Sequence, residues 1–223
     1  PDGTLRYMDG EVVDTVTTDE TRLAESKPLY LGKYEVREIT APTGYVLNTE
    51  VHTAELVYAG QEVEITETAA DFCNERQKAA VSLDKVLEQD ERFGIGMSGE
   101  LSAVTFGLFA AEELTAADGS IIPADGLLEI VSVDENGHAV CKTDLPFGSY
   151  YLKELSTDGH YILSDEKYTI VFEYAGQETA LVEIKANDGK PIGNDLIYGE
   201  IHGLKKNEDG NALGGAVIGL FKP

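Results

Sequence analysis

The chain has 223 residues, of which 41 are acidic and 17 are basic, so its formal charge is −24 at pH 7. A field of this sign repels phosphate groups, which excludes nucleic acids as expected partners. The hydrophobic fraction of 42% is typical of a folded globular protein. Because no apolar run is long enough to cross a bilayer, we expect no membrane insertion in this part of the polypeptide.

Short stretches of alternating apolar and polar residues follow one another along the chain, separated by turns that contain glycine. The turn dipeptides, in chain order, are Asp9-Gly10, Thr43-Gly44, Asp118-Gly119, Asn136-Gly137, Asp158-Gly159 and Asp209-Gly210. Such a series predicts an all-β protein, either a sandwich or a barrel. Helix signals are nearly absent, and we expect one helical turn at most, at Ala110–Thr115.

An internal repeat organises these strands. Gly32–Glu38 matches Gly148–Glu154, 116 residues later, and the pentapeptide Tyr58–Glu62 recurs as Tyr174–Glu178 at the same offset. Repeated supersecondary units of this kind indicate tandem copies of one domain. We therefore interpret the chain as consecutive β-domains rather than one large domain.

Two further stretches, Asn74–Lys85 and Asn194–Lys205, mark the predicted seams between domains. In each, an Asn at the end of one domain is followed, eleven positions on, by a Lys in the opening strand of the next. We predict an incomplete domain over residues 1–78 that lacks its first strands, a complete domain over residues 79–197, and the opening strands of a third domain over residues 198–223.

Side-chain alternation predicts that Lys85, Glu154 and Asn194 face the core of the complete domain. The apolar residues that share a strand face with them are Val81 and Leu83 for Lys85, Tyr150 and Leu152 for Glu154, and Ile192 for Asn194. Each of the three polar groups is costly to bury alone. Their joint burial therefore indicates a specific interaction between them.

These groups can react with each other. Burial favours the neutral, nucleophilic form of an amine, and the carboxamide carbon of Asn194 is an electrophile for Lys85. Glu154 can hydrogen-bond the amide carbonyl and carry the proton to the departing ammonia. Folding supplies the proximity that the reaction needs. The predicted product is a Lys85–Asn194 isopeptide bond, formed once and without turnover, so we expect no enzyme.

The motifs Gly-x-Tyr-x-Val/Leu-x-Glu, Ala41–Tyr45, Val-x-Leu-x-Lys and the closing Asn resemble Cna protein B-type, or SpaA-like, domains. These prealbumin-like domains occur in Gram-positive surface adhesins and pilins. The resemblance implies tandem Greek-key β-sandwiches whose first and last strands are joined by an autocatalytic isopeptide bond. It also implies Lys85 as the nucleophile, Asn194 as the acceptor and Glu154 as the proton shuttle.

The resemblance carries over only in part to the other two domains. Glu38 and Asn74 match the shuttle and acceptor of the first domain, and Lys205 matches the nucleophile of the third. Two alternatives stay open: Asn187 competes with Asn194 as acceptor, and Lys206 competes with Lys205.

One loop departs from the family pattern. The complete domain has Ser156–Tyr161 where the first domain has the Ala-Pro-Thr-Gly-Tyr sequence, so the conformation of this loop is left open.

The functional prediction is a structural spacer of a bacterial surface adhesin or pilin-like protein, outside the cell on a Gram-positive wall. Its partners are neighbouring domains of the same protein, with strand complementation between chains, from Lys205 to Asn74, as a further prediction. The alternative is a module that binds a host extracellular-matrix protein or glycan through loops such as Gln89–Gly99. We expect no cofactor, and the four histidines show no metal-ligand spacing.

Overall fold

The structure, a computed structural model, describes residues 5–221. The outer ends of the first and third predicted domains, residues 1–4 and 222–223, lie outside the described residues. Regular structure in the described chain is β, apart from the short helical turns Glu100–Ala103 and Ala186–Gly189. The strands are β1 (Gly32–Arg37), β2 (Val51–Leu56), β3 (Lys78–Leu87), β4 (Thr105–Ala110), β5 (Leu114–Thr115), β6 (Ile121–Ile122), β7 (Leu127–Ser132), β8 (His138–Val140), β9 (Gly148–Ser156), β10 (Lys167–Phe172), β11 (Leu181–Lys185) and β12 (Ile192–Asn194).

Two larger sheets contain most of these strands. One has the order β10-β9-β4-β7; the other has the order β11-β3-β12, and β8 also pairs with β3. The pairs β1–β2 and β5–β6 form two-stranded sheets. The pairing of β3 with β12 is parallel, which joins an early strand of the predicted complete domain to its last strand.

The chain divides into two compact units. Unit 1 comprises the described chain up to Ala80 together with Asp144–Gly148 and Phe172–Ile184. Unit 2 comprises the remaining segments, Val81–Thr143, Ser149–Val171 and Lys185 onward. This division follows packing, whereas the boundaries after residues 78 and 197 follow the sequence repeat, and those boundaries stay predictions.

The core of unit 2 follows the alternation seen in the sequence. Val81 and Leu83 of β3 are 1% and 3% exposed, and Tyr150 and Leu152 of β9 are fully buried. β4 lies between β9 and β7, which explains why most of its residues are buried. Alternate side chains of strands packed on a core lose their contact with water, and this burial is the main stabilising contribution.

The predicted helical turn at Ala110–Thr115 is wrong. Ala110 pairs with Tyr150 at the end of β4, and Leu114 begins β5 and is 8% exposed. The sheet hydrogen bonds to β9 hold the backbone extended up to Ala110, and the burial of Leu114 favours a second short strand over a helical turn.

Unit 1 contains the antiparallel pair β1–β2, in register from Gly32 opposite Leu56 to Arg37 opposite Val51. Several of its apolar side chains remain exposed, including Val36 at 36% and Val51 at 48%. A two-stranded sheet is marginal by itself. Unit 1 therefore depends on the longer-range contacts described below.

Candidate functional site: a buried lysine, glutamate and asparagine

Lys85 lies near the end of β3 and is 2% exposed. Its Nζ donates hydrogen bonds to the carbonyl oxygens of Val86 and Ile192, both at 3.0 Å. The same Nζ lies 3.8 Å from Oε1 of Glu154, and both side chains are fully shielded from solvent. The parallel register places Ile192 opposite Lys85, so the long lysine side chain lies between the first and last strands of the predicted complete domain.

Burial changes the protonation of this amine. Loss of water lowers the pKa of Lys85 from 10.5 to about 8, against the opposing effect of the carboxylates of Glu154 and Asp195, which favour the ammonium form. An amine with this pKa is neutral in an appreciable fraction of molecules near pH 7. The lysine is therefore a better nucleophile here than on the protein surface.

Glu154 and Asn194 form a tight pair beside the lysine, at 1% and 4% exposure. Asn194 Nδ2 donates to Glu154 Oε2 at 2.7 Å and to the carbonyl oxygen of Ile162 at 2.7 Å. The backbone N–H of Ser164 donates to the same Glu154 oxygen at 2.9 Å. These bonds fix the amide plane and the carboxylate plane relative to each other.

Two oxygens of the pair are buried without a hydrogen-bond partner, Asn194 Oδ1 and Glu154 Oε1. Buried polar atoms without a partner are rare and costly, and one of these two, Glu154 Oε1, lies 3.8 Å from the amine of Lys85. We predicted that Glu154 would bond the amide carbonyl; in the structure it accepts from the amide nitrogen instead. One carboxylate oxygen thus faces the lysine and the other faces the leaving nitrogen of the amide.

The alternative acceptor, Asn187, lies elsewhere. It is half-buried in the turn before β12, with φ of 53°, and its side chain donates to the carbonyl oxygens of Lys190 and Pro191 at 3.2 and 3.4 Å. Of the two asparagines, the structure brings only Asn194 into contact with Glu154.

Unit 1 contains a second copy of the acceptor half of this site. Asn74 Nδ2 donates to Glu38 Oε2 at 2.6 Å and to the carbonyl oxygen of Val46 at 2.9 Å. The backbone N–H of Asn48 donates to the same Glu38 oxygen at 2.7 Å. These are the counterparts of all three bonds in unit 2, but Glu38 and Asn74 are only half-buried.

Lys205 and Lys206, the two candidate lysines of the third predicted domain, both lie exposed in a short hairpin. Lys206 pairs with Ala212, and the carbonyl oxygen of Lys205 accepts from the N–H of Leu213. Nearby apolar side chains are exposed as well, Ile201 at 79% and Leu204 at 89%. The structure thus leaves open which lysine is the counterpart of Lys85.

Sequence reasoning missed one buried polar side chain, Gln77, which is 2% exposed. Its position in a charged segment gave no signal of burial.

In the described chain no three His, Cys, Asp or Glu residues are grouped closely enough to hold a metal ion. Residues 5–221 also contain no helix with the length and apolar character that a membrane span requires.

The family model for the SpaA prealbumin-like fold domain matches residues 4–69 and 96–190. Because this match covers more than half of the chain, the protein belongs to the SpaA prealbumin-like fold domain family. The predicted family and the predicted all-β, prealbumin-like sandwich class are thereby confirmed.

The chain spans less than a third of the length of the first relatives that it matches. The trypsin-resistant surface T6 protein of Streptococcus pyogenes serotype M6 is 32% identical over 78 residues, which is 34% of this chain and 14% of that protein. Among solved structures, the Bacillus anthracis TIE protein is 24% identical with a TM-score of 0.49, covering 82% of this chain and 28% of that one. GBS52, the minor pilin of Streptococcus agalactiae, is 13% identical with a TM-score of 0.35, covering 81% and 89%.

Proposed function

We propose that this chain is a structural segment of a Gram-positive surface protein, a pilin-like or adhesin stalk, closed by an isopeptide bond between Lys85 and Asn194. The observation that carries the proposal is the buried trio. The Lys85 amine lies 3.8 Å from Glu154 Oε1, and Glu154 Oε2 lies 2.7 Å from the amide nitrogen of Asn194. No structural need explains three such polar groups buried together, because an apolar trio costs less.

The proposed reaction is a transamidation that occurs once. Nζ of Lys85 attacks Cγ of Asn194, and a new C–N bond forms. A proton from the amine passes to Glu154, and Glu154 delivers a proton to Nδ2 as the Cγ–Nδ2 bond breaks. Ammonia leaves, so atoms and charge balance without any added reactant. Glu154 is restored at the end, whereas the lysine and asparagine are consumed, which rules out turnover.

The bond would suit a structural element that carries load. It connects β3 and β12, which are neighbours in one sheet, and closes nearly the whole predicted complete domain into a loop. By the chain-entropy argument used for disulfides, a loop of this size stabilises by about 4 to 5 kcal/mol. Tension that enters at β3 would pass directly to β12 and leave the rest of the sandwich unloaded.

The surface location rests on the family and on the match to a streptococcal surface protein, which shares 32% identity over 78 residues. The formal charge of −24 suits a solvated surface that resists non-specific aggregation. No specific contact favours the ligand-binding alternative, whereas the buried trio favours the spacer, so the spacer is the function we favour.

Intact-protein mass spectrometry tests the bond. The wild-type chain should weigh one ammonia less than its sequence, and peptide mapping should link the peptides that contain Lys85 and Asn194. Asn194→Ala should restore the full mass, whereas Asn187→Ala is the matched control and should keep the loss. A wild-type chain at full sequence mass would overturn the proposal.

We also propose strand complementation between chains, because unit 1 holds an assembled acceptor pair, Glu38 and Asn74, and the exposed segment Ile201–Lys205 carries a lysine. Docking of that segment beside Asn74 of another copy would allow the same reaction between chains. Denaturing gels of concentrated protein should then show covalent dimers that Asn74→Ala abolishes and Asn194→Ala does not. Monomer alone on such gels would contradict the covalent version, and monomer in solution scattering would contradict docking.

A further inference from the structure

A buried glutamine binds one loop with its entire side chain. Gln77 Oε1 accepts from the N–H of Ala175 at 2.8 Å. Its Nε2 donates to the carbonyl oxygens of Gly176 and Thr179 at 3.1 and 2.6 Å. A primary amide has two donor hydrogens and an acceptor oxygen, and here all of them are used on the backbone of Tyr174–Ala180, which we call the receiving loop.

A second glutamine makes the reciprocal connection. Gln177, in the receiving loop, accepts with Oε1 from the N–H of Ala41 at 2.8 Å and donates with Nε2 to the carbonyl oxygen of Ile39 at 3.3 Å. The backbone oxygen of Gln177 accepts from the N–H of Leu47 at 2.9 Å. All of these residues belong to unit 1, so the two glutamines hold together segments that are distant in sequence.

The residues around Gln77 are tied down along their backbone. We call residues 75–78 the linker. They are the last four residues of the first predicted domain, and the last of them, Lys78, begins β3. The N–H of Gln77 donates to the carbonyl oxygen of Gly44 at 2.9 Å, and the N–H of Lys78 donates to that of Ala180 at 3.0 Å. Arg76 forms an ion pair with Asp144 at 2.5 Å and pairs with Tyr45.

We propose that Gln77 and Gln177 form a latch that keeps the linker folded and shields the peptide bonds after Arg76 and Lys78 from trypsin-like proteases. A protease must bind several residues of extended chain, so cleavage here requires the linker to leave the receiving loop. Opening breaks the three side-chain bonds of Gln77 to the receiving loop and exposes buried polar groups. Gln177 acts on the linker indirectly, because its bonds to Ile39 and Ala41 hold the receiving loop in the position that Gln77 binds. The inference is independent of the isopeptide bond, because no residue of the reactive trio takes part in the latch.

The repeat supplies a matched control for this latch. The loop Tyr58–Val63 has the same turn as the receiving loop: Gly60 has φ of 113° and Gly176 has φ of 92°. The N–H of Val63 donates to Gly60 at 3.3 Å, as that of Thr179 donates to Gly176 at 3.2 Å. Gln61, the counterpart of Gln177, is exposed, so its substitution removes the same side chain without breaking a latch.

The test is limited trypsin digestion of the full chain under native conditions, with fragments identified by mass. Gln177→Ala should be cut after Arg76 or Lys78 at least about tenfold faster than wild type, the ratio expected when about 1.4 kcal/mol of local opening free energy is lost. Gln61→Ala should be cut at the wild-type rate. Amide hydrogen exchange at Ala41 and Ala175 should accelerate only in the Gln177 variant.

The order of cleavage separates local opening from global unfolding. If Gln177→Ala acts on the latch, the linker is cut before the lysines of unit 2, whereas global destabilisation would cut sites in both units at similar rates. Equal linker cleavage in the Gln177→Ala and Gln61→Ala variants, or simultaneous cleavage throughout the chain, would overturn the proposal. Gln177 is half-buried, so this variant is a milder change than Gln77→Ala.

Discussion

The acceptor pairs of the two units have the same hydrogen bonds but different surroundings. In unit 2, Glu154 and Asn194 are almost fully buried beside Lys85. In unit 1, Glu38 and Asn74 have the equivalent bonds at half-burial, and no lysine pairs with Glu38 in the described part of the chain. The comparison shows that the acceptor geometry is local: a glutamate-bearing strand and the loop that follows it position the asparagine, with or without the nucleophile.

In the proposed reaction, the lysine-bearing strand would therefore supply burial and the nucleophile rather than the geometry of the acceptor pair. β3 covers the acceptor pair of unit 2, and the resulting loss of water is the cause of the lowered pKa of Lys85. This separation of roles can be tested, because each role belongs to a different residue and the acceptor pair has a counterpart in the other unit.

The largest expected effect is that of Lys85→Ala. The variant loses the proposed bond, which alone is worth about 4 to 5 kcal/mol, and also leaves Glu154 buried without a cation. We expect the free energy of unfolding, measured with denaturant, to fall by at least that amount. Lys78→Ala, at the exposed start of the same strand, should change it by less than about 0.5 kcal/mol. Similar unfolding midpoints for the two variants would show that no bond is present.

Exchanging the carboxylates for amides should distinguish the two acceptor pairs. Glu154→Gln removes the group that moves the proton, so the chain should keep its full sequence mass and lose the stability of the bond. Glu38→Gln removes only charge-assisted hydrogen bonds from the N–H groups of Asn48 and Asn74, which costs about 1.5 to 3 kcal/mol each at most. The monomer of this second variant should still lose one ammonia.

A finding that both variants change the mass equally would break the comparison, since Glu38 would then act on the same reaction as Glu154. Calorimetry of both variants measures how much each substitution lowers the thermal stability. It does not depend on the mass measurement.

Much of the candidate site could be predicted from the sequence, because strand alternation and the repeat constrain the same residues. Lys85, Glu154 and Asn194 follow buried apolar residues at spacings of two, and each is buried as that parity requires. What the sequence could not provide is the direction of each polar atom. Glu154 meets the amide nitrogen rather than the carbonyl because the N–H of Ser164 and the carbonyl of Ile162 orient both planes.

The burial of Gln77 was also beyond the sequence, for a physical reason. The residue at the same place in the second seam is Ile197, which is 59% exposed, so the repeat gives no pattern to read. Gln77 is buried because its amide matches the backbone groups of a loop about a hundred residues away. Contacts of this range depend on tertiary packing, which neither periodicity nor local propensity reports.

The rate of bond formation should depend on pH through the neutral fraction of the Lys85 amine. Chains that have never folded, kept in denaturant from the time of their isolation, lack the proximity for reaction and still have their full sequence mass. Dilution into buffer starts the reaction, and mass spectra follow the loss of ammonia. Since the pKa of Lys85 is lowered to about 8, the neutral fraction and the rate should rise about tenfold from pH 6 to 7 and level off above about pH 8. A rate that keeps rising towards pH 10.5 would show an amine with an ordinary pKa.

The lowered pKa of Lys85 also makes the stability of the folded chain depend on pH as long as the bond has not formed. Lys85 binds its proton less tightly in the folded chain than in the unfolded chain. The unfolded state therefore holds more protons between about pH 8 and 10.5, and stability should rise with pH across that window. Denaturant titrations of the Asn194→Ala variant, which cannot form the bond, at pH 7 and pH 10 would measure this rise.

The smallest expected effect concerns the loop where the two copies depart. Tyr45 donates its N–H to Pro42, and Tyr161 donates to Asp158, both at 3.0 Å, so both loops close the same four-residue turn. Gly44 occupies its third position with φ of 93°, whereas the second copy has His160 there. A positive φ at this position is typical of a type II turn and needs glycine, while Asp158 at the first position favours type I.

Substituting one loop residue by its counterpart should reveal the different turn types. Gly44→His forces a residue with a Cβ into a left-handed conformation, which costs about 1 to 2 kcal/mol, and the added Cβ would lie 3.1 Å from the ring of Phe147. His160→Gly loses a hydrogen bond between the exposed His160 and the half-buried Asp158 and adds freedom to the unfolded chain, which costs about 0.4 to 1 kcal/mol, so the thermal midpoint should fall less. Equal decreases in the thermal midpoint would mean that the two loops share one backbone conformation at the third position of the turn.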